Sequence, residues 1–118
     1  MLCLNKGASM RASISIILLL CSLAEVNAKE HVVEIFKKQF TPTEITIEQG
    51  DTVIWQNVEK RQYHNVWFKQ QVKEEPDYIF PGESYQRTFM EQGVFPYECG
   101  PHPKMVGSVK VVLKPVGN

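Results

Sequence analysis

From residue 33 onward, apolar side chains recur at every second position in short runs divided by turn-forming residues. Val33 and Ile35 flank polar Glu34, and Phe40-Thr41-Pro42 breaks that run. Ile45 and Ile47 then alternate with Thr46 and Glu48. Gln49-Gly50-Asp51 reads as a turn, because Gly supplies dihedral freedom and Asp bonds its own backbone. Thr52 to Asn57 is rich in β-branched and aromatic residues, which fit a pleated, half-buried surface. Val53, Trp55 and Asn57 share one face of it.

Lys69 to Asp77 is charged, carries Pro76 and reads as a surface loop with room for a helical turn. Pro81-Gly82-Glu83 is a second turn signal, and Ser84 to Met90 resumes strand character. Tyr85, Arg87 and Phe89 fall on one face there, so Arg87 breaks the apolar alternation; its aliphatic stem is expected along the core edge with the charge outside. After Glu91-Gln92-Gly93, Phe95, Tyr97 and Cys99 alternate with Val94, Pro96 and Glu98. Pro96 has no N–H and belongs at an edge or a bulge. Val106 to Leu113 is the closing strand. Trp55 and Met90 are expected in the core, with Trp67 and Phe68 packed near His64. The period of two and the turn signals predict an all-β chain of seven or eight short strands in a sandwich or barrel. No run has the length and period of an ordinary helix, which excludes α/β architectures.

The segment before this pattern is of another kind. Lys6 and Arg11 precede an apolar run from Ile14 to Leu20, and Val26-Asn27-Ala28 offers small residues for cleavage. Residues 1–28 therefore read as a signal peptide. Their apolar run falls short of the ~20 residues of a spanning helix. Translation from Met10 instead of Met1 would leave a shorter leader of the same kind. Cleavage after Ala28 leaves residues 29–118 as one exported domain, expected in the periplasm with no membrane attachment and as a monomer. Thirteen basic and thirteen acidic residues cancel, and no basic run stands out, so nucleic acid is not an expected partner.

Of three cysteines, Cys3 and Cys21 lie in the leader, which isolates Cys99 in a compartment where thiols usually pair. Such a cysteine is an intermolecular disulfide, a buried spectator or a metal ligand. Its neighbours favour the last. Cys99-Gly100-Pro101-His102-Pro103-Lys104-Met105 holds a thiol, an imidazole and a thioether within seven residues, in a segment bent by two prolines and a glycine. A thiolate, two imidazoles and a weak axial thioether form the ligand set of type 1 copper. The second imidazole must come from far along the chain, and His64 is the central candidate. The single thiolate and the thioether favour copper over zinc. A Cys99–His102 nucleophile pair is disfavoured, since no orienting third group or oxyanion motif accompanies it. His31 reads as a solvated strand residue. If cleavage follows Ala28, the third position of Lys29-Glu30-His31 also suits a weaker Cu(II) site built on the new amine.

These segments together resemble the cupredoxins of the plastocyanin, pseudoazurin and amicyanin group. The resemblance runs through Phe40-x-Pro42-x-x-Ile45-x-Ile47-x-x-Gly50-Asp51-Thr52-Val53-x-Trp55-x-Asn57, His64-Asn65, Pro81-Gly82-Glu83 and Gly93-x-Phe95-x-Tyr97-x-Cys99. The Cys-x2-His-x2-Met spacing is that of amicyanin. The resemblance implies a Greek-key β-sandwich or barrel. It also implies one type 1 copper ion per chain, with His64, Cys99 and His102 near a plane and Met105 as the long axial ligand. Asn65 would tie the segment of the first histidine to the loop of Cys99. Gly100 stands where Ser or Thr is common, so one hydrogen bond to Asn65 is expected to be lost. Tyr63 and Lys104 also depart from the pattern, and Pro101 removes an N–H beside the sulfur.

The function implied is one-electron transfer, not enzymatic catalysis, with a redox protein such as a cytochrome c, a dehydrogenase or a reductase as partner. The alternative is a periplasmic copper-binding role in tolerance or homeostasis. A domain that has lost its metal and only binds partners is disfavoured by the complete ligand set.

Overall fold

The computed structural model describes residues 28–115. The expected leader, residues 1–28, lies outside the described residues apart from Ala28. Seven strands follow in order: β1 Glu30–Phe36, β2 Gln39–Thr41, β3 Glu44–Glu48, β4 Thr52–Asn57, β5 Ser84–Thr88, β6 Gly93–Cys99 and β7 His102–Val112. They form one sheet ordered β2-β1-β4-β5 and a second ordered β3-β7-β6. The β1/β4 and β3/β7 pairs are parallel and the others antiparallel. Among the described residues there is no helix, and so none long and apolar enough to cross a membrane.

The alternation read from the sequence sets which faces meet. Val33 and Ile35 of β1, Val53 and Trp55 of β4, Ile47 of β3, Tyr97 and Cys99 of β6, and Val109 and Val111 of β7 are all buried between the sheets. Each such aliphatic side chain removed from water contributes ~1.5–3 kcal/mol, which holds two sheets with one wet face each together. Trp55 is the hub: its ring lies 5.4 Å from Tyr97, 5.7 Å from Tyr85 and 6.0 Å from Phe68.

Four expectations are corrected. Phe40-Thr41 does not merely break β1. It turns back through Lys37-Lys38, both at positive φ, and pairs with β1 as β2, burying Phe40 against Tyr97 at 4.8 Å. Met90 is 67% exposed rather than core, because the alternation carries on past β5: Phe89 takes the buried side and Met90 falls on the opposite, solvent side. The charge of Arg87 does not point away from the core edge: its guanidinium lies over Phe68 at 4.5 Å and Phe89 at 4.6 Å. Stacked on two rings, it caps the aromatic cluster through cation–π contact. The last strand begins at His102 rather than Val106. The Lys69–Asp77 loop does contain a turn, closed by Val72 N–H to Phe68 O at 3.0 Å.

Candidate metal centre

The site stands at one end of the sandwich, where β6 hands over to β7. Tyr97 pairs with Gly107 and Glu98 with Val106, but Cys99 pairs with His102. One step on β6 thus spans four on β7, and Pro103, Lys104 and Met105 form the excess. This bulge lets Met105 turn into the core, where it is buried, although an unbroken strand would not bring positions 102 and 105 to one face. The three side chains therefore converge through a two-residue connection and a bulged strand, not through a long loop.

His64 is brought in by the segment after β4. Its backbone forms a bridge with Ile79, N–H to O at 3.2 Å and back at 2.6 Å. Asn57, the last residue of β4, is 1% exposed and organises that segment. Its Nδ2 donates to Gln62 O at 2.9 Å and Ile79 O at 2.8 Å, and its Oδ1 accepts the Glu59 N–H at 2.9 Å. Farther on, Trp67 and Glu98 exchange backbone hydrogen bonds at 2.8 and 3.0 Å, which fastens the His64 segment to β6.

The result is a compact donor set. Cys99 Sγ lies 3.6 Å from His64 Nδ1 and 3.5 Å from His102 Nδ1. The ligand-capable atoms of the three residues all fall within 4.8 Å of one another. Metal–sulfur and metal–nitrogen bonds of ~2.0–2.3 Å at trigonal-to-tetrahedral angles place such atoms about 3.5–3.8 Å apart, so the set fits one ion. Met105 lines the same cleft as His102. A thiol and a nearby thioether are soft donors, and with two imidazoles they make a set that suits copper.

The protonation states favour a receptive site. Burial lowers the pKa of His64, and the Glu59 carboxylate opposes this without reversing it. Burial also lowers that of His102, with Lys38 adding to the effect. Both rings are therefore neutral at pH 7. His64 Nε2 faces Glu59 Oε2 at 3.3 Å, so the ring proton belongs on Nε2 and the Nδ1 lone pair faces the sulfur. Burial pushes the Cys99 thiol up, and a metal must displace its proton on binding.

Asn65 ties the two segments together, as expected. Its Oδ1 accepts the Gly100 N–H at 2.7 Å. The bond thought lost at Gly100 is replaced: Asn65 Nδ2 donates to Glu75 Oε2 at 2.9 Å and Pro76 O at 3.2 Å. His31 is not simply solvated. Its Nε2 lies 2.9 Å from Asp51 Oδ2, and the Lys29 backbone N donates to Asp51 Oδ1 at 3.0 Å. Residues 30 and 31 also belong to β1, paired along β4, so their nitrogens are spread along a strand instead of gathered around an ion. Glu59, Glu75 and Lys38 were not singled out from sequence. Their only local signal is proximity to Asn57, Pro76 and the β1–β2 turn.

A two-sheet β-sandwich with this donor set at one end defines the class of cupredoxins. The sequence pattern of the family described as copper binding proteins, plastocyanin/azurin family, matches residues 27–112. Amicyanin of Paracoccus versutus is 42% identical over 94 residues, covering 75% of this chain and 69% of that protein. Amicyanin of Paracoccus denitrificans is 39% identical over 92 residues, covering 75% and 70%. The crystal structure of the Paracoccus versutus amicyanin superimposes with a TM-score of 0.65 at 34% identity, covering 77% of this chain and 87% of that one. The chain belongs to the plastocyanin/azurin family of copper binding proteins and is a cupredoxin of the amicyanin type. It is a type 1 copper electron-transfer protein, not an enzyme.

Proposed function

We propose that this protein is a periplasmic carrier of single electrons, made with a leader of residues 1–28. Its copper would be held by His64, Cys99, His102 and Met105. When bound, copper supplies reversible Cu(I)/Cu(II) chemistry. The observation that carries this reading is that the Nδ1 atoms of His64 and His102 both face Cys99 Sγ, at 3.6 and 3.5 Å. The donors stand at ligand spacing in the fold itself, fixed by Asn57, Asn65 and Glu59. A scaffold that holds ligands still keeps reorganisation small when one electron comes or goes.

His102 is half-buried, in contrast to fully buried His64, and lines an apolar cleft with Pro101, Pro103 and Met105. Its ring is the port through which an electron would pass to a docked redox protein, a cytochrome c, dehydrogenase or reductase. Lys38 and Lys104 stand at the rim of the same cleft. Lys38 is held there at φ 57°, a left-handed conformation that costs a non-glycine residue ~1–2 kcal/mol. Such a rim matches a partner with acidic groups around its own redox centre, and transient redox interfaces are small. An imidazole edge in an apolar cleft serves transfer, whereas copper buffering has no need of it.

The test is the visible and paramagnetic-resonance spectrum of the copper-loaded protein beside Cys99→Ala. The intense thiolate-to-copper band is expected in the wild type and absent from the folded variant. A band of unchanged intensity in Cys99→Ala would refute the site.

A further inference from the structure

Asn65 is fully buried, and its side-chain amide is the only side-chain link from the His64 segment to the Gly100 backbone among the described residues. An amide of this kind works only in one orientation. If it turned over, the Nδ2 hydrogens would meet the Gly100 N–H, and Oδ1 would face other oxygens. What sets the orientation is the Glu75 carboxylate, an acceptor with no proton to give, together with Pro76 O. Glu75 reaches Asn65 through the space directly above the Gly100 Cα. A Cβ built on Gly100 would overlap Glu75 Oε2, and would lie 2.5 Å from its carboxyl carbon. Gly100 has no left-handed φ to explain it; the glycine is there for room.

We propose that Glu75 is a positioning residue of the copper centre, admitted by the absence of a side chain at Gly100. Its carboxylate locks the Asn65 amide, and the amide locks the Cys99–Gly100 peptide and with it the sulfur. The inference rests on the copper assignment only for its redox consequence; the mechanical part belongs to the metal-free chain. The carboxylate also places a negative charge beside the sulfur-bearing turn. That charge favours the more positive oxidation state of a bound copper and so lowers its reduction potential.

The test separates shape from charge with Glu75→Gln, Glu75→Ala, Gly100→Ala and the Glu75→Ala/Gly100→Ala double variant. Glu75 is exposed on its outer side, so its replacement leaves the core intact. In the metal-free protein, hydrogen exchange at the Gly100 amide is expected to quicken about fivefold or more in Glu75→Ala and in Gly100→Ala. In Glu75→Gln it should stay near the wild-type rate, because the glutamine oxygen still accepts from Asn65. The double variant should be no faster than either single one, since both remove the same contact. In the copper-loaded protein, the reduction potential should rise in both Glu75 variants. Wild-type exchange at Gly100 in Glu75→Ala, or independent addition of the two single effects, would overturn the proposal. If the exchange results hold but no copper binds, the copper assignment fails and the positioning role stands.

Discussion

Replacing Asn57 by alanine removes three hydrogen bonds at the base of the segment that carries His64. The lost contacts are those of Nδ2 to Gln62 O and Ile79 O, at 2.9 and 2.8 Å, and of Oδ1 to the Glu59 N–H, at 2.9 Å. At a net ~0.5–1.5 kcal/mol each they sum to about 3 kcal/mol. The side chain is 1% exposed, so water does not replace it readily at the Ile79 contact, which is itself buried. In a domain of this size 1 kcal/mol corresponds to ~4–8 °C, and the melting temperature of the metal-free protein should fall by roughly 12–24 °C. Copper affinity should fall as well, because the Ile79 bridge that seats His64 and the Glu59 backbone are both loosened. Asn57→Asp sharpens the test. It keeps an acceptor for the Glu59 N–H but donates to neither carbonyl and buries a charge, so it should be no more stable than the alanine variant. The assay is thermal or urea unfolding of the metal-free protein, followed by copper titration. A melting temperature within about 4 °C of wild type, with unchanged copper affinity, would show that Asn57 does not organise the site.

Two further outcomes follow from the charges. Reversing Lys38 to Glu on the rim of the His102 cleft should slow electron exchange with an acidic partner and weaken its dependence on ionic strength. Stopped-flow rates across a salt series measure this, and an unchanged salt dependence would remove Lys38 from the docking face. Asp51 supplies the pH dependence: burial pushes its pKa up, but His31 and the backbone N–H groups of Lys29 and Glu48 bring it below the ordinary 3.8. The stability it contributes is therefore fully present above 3.8 and is lost as pH falls through the lower folded value. Wild type should exceed Asp51→Asn in urea resistance at pH about 6, with the gap closing below the ordinary value. A gap that widens on acidification would contradict the assignment.

Where one face of a strand is buried, the sequence already revealed it. Val33/Ile35, Ile45/Ile47 and Val53/Trp55/Asn57 alternate cleanly because one face meets the core, and turn residues mark their ends. The donor set was also readable, since Cys99, His102 and Met105 lie within seven residues. What stayed hidden depends on contacts distant in sequence. Three-residue β2 is too short for a period and is defined by pairing to β1. Arg87 sits over rings from other segments, and no local rule announces that a charge will cap a core. Glu75 meets Asn65 and Gly100 only because the 69–77 loop folds over the turn after β6. Met90 is apolar, yet the alternation that buries Phe89 points it to solvent, so residue type alone misplaces it.

The most direct measurement is a crystal structure of the copper-loaded protein with anomalous scattering recorded on both sides of the copper edge. The account predicts a single anomalous peak between Cys99 Sγ and the Nδ1 atoms of His64 and His102, with the Met105 sulfur as a more distant fourth neighbour. A peak elsewhere, at His31 and Asp51 for example, or a copper that leaves either imidazole or the thiolate unbound, would contradict it.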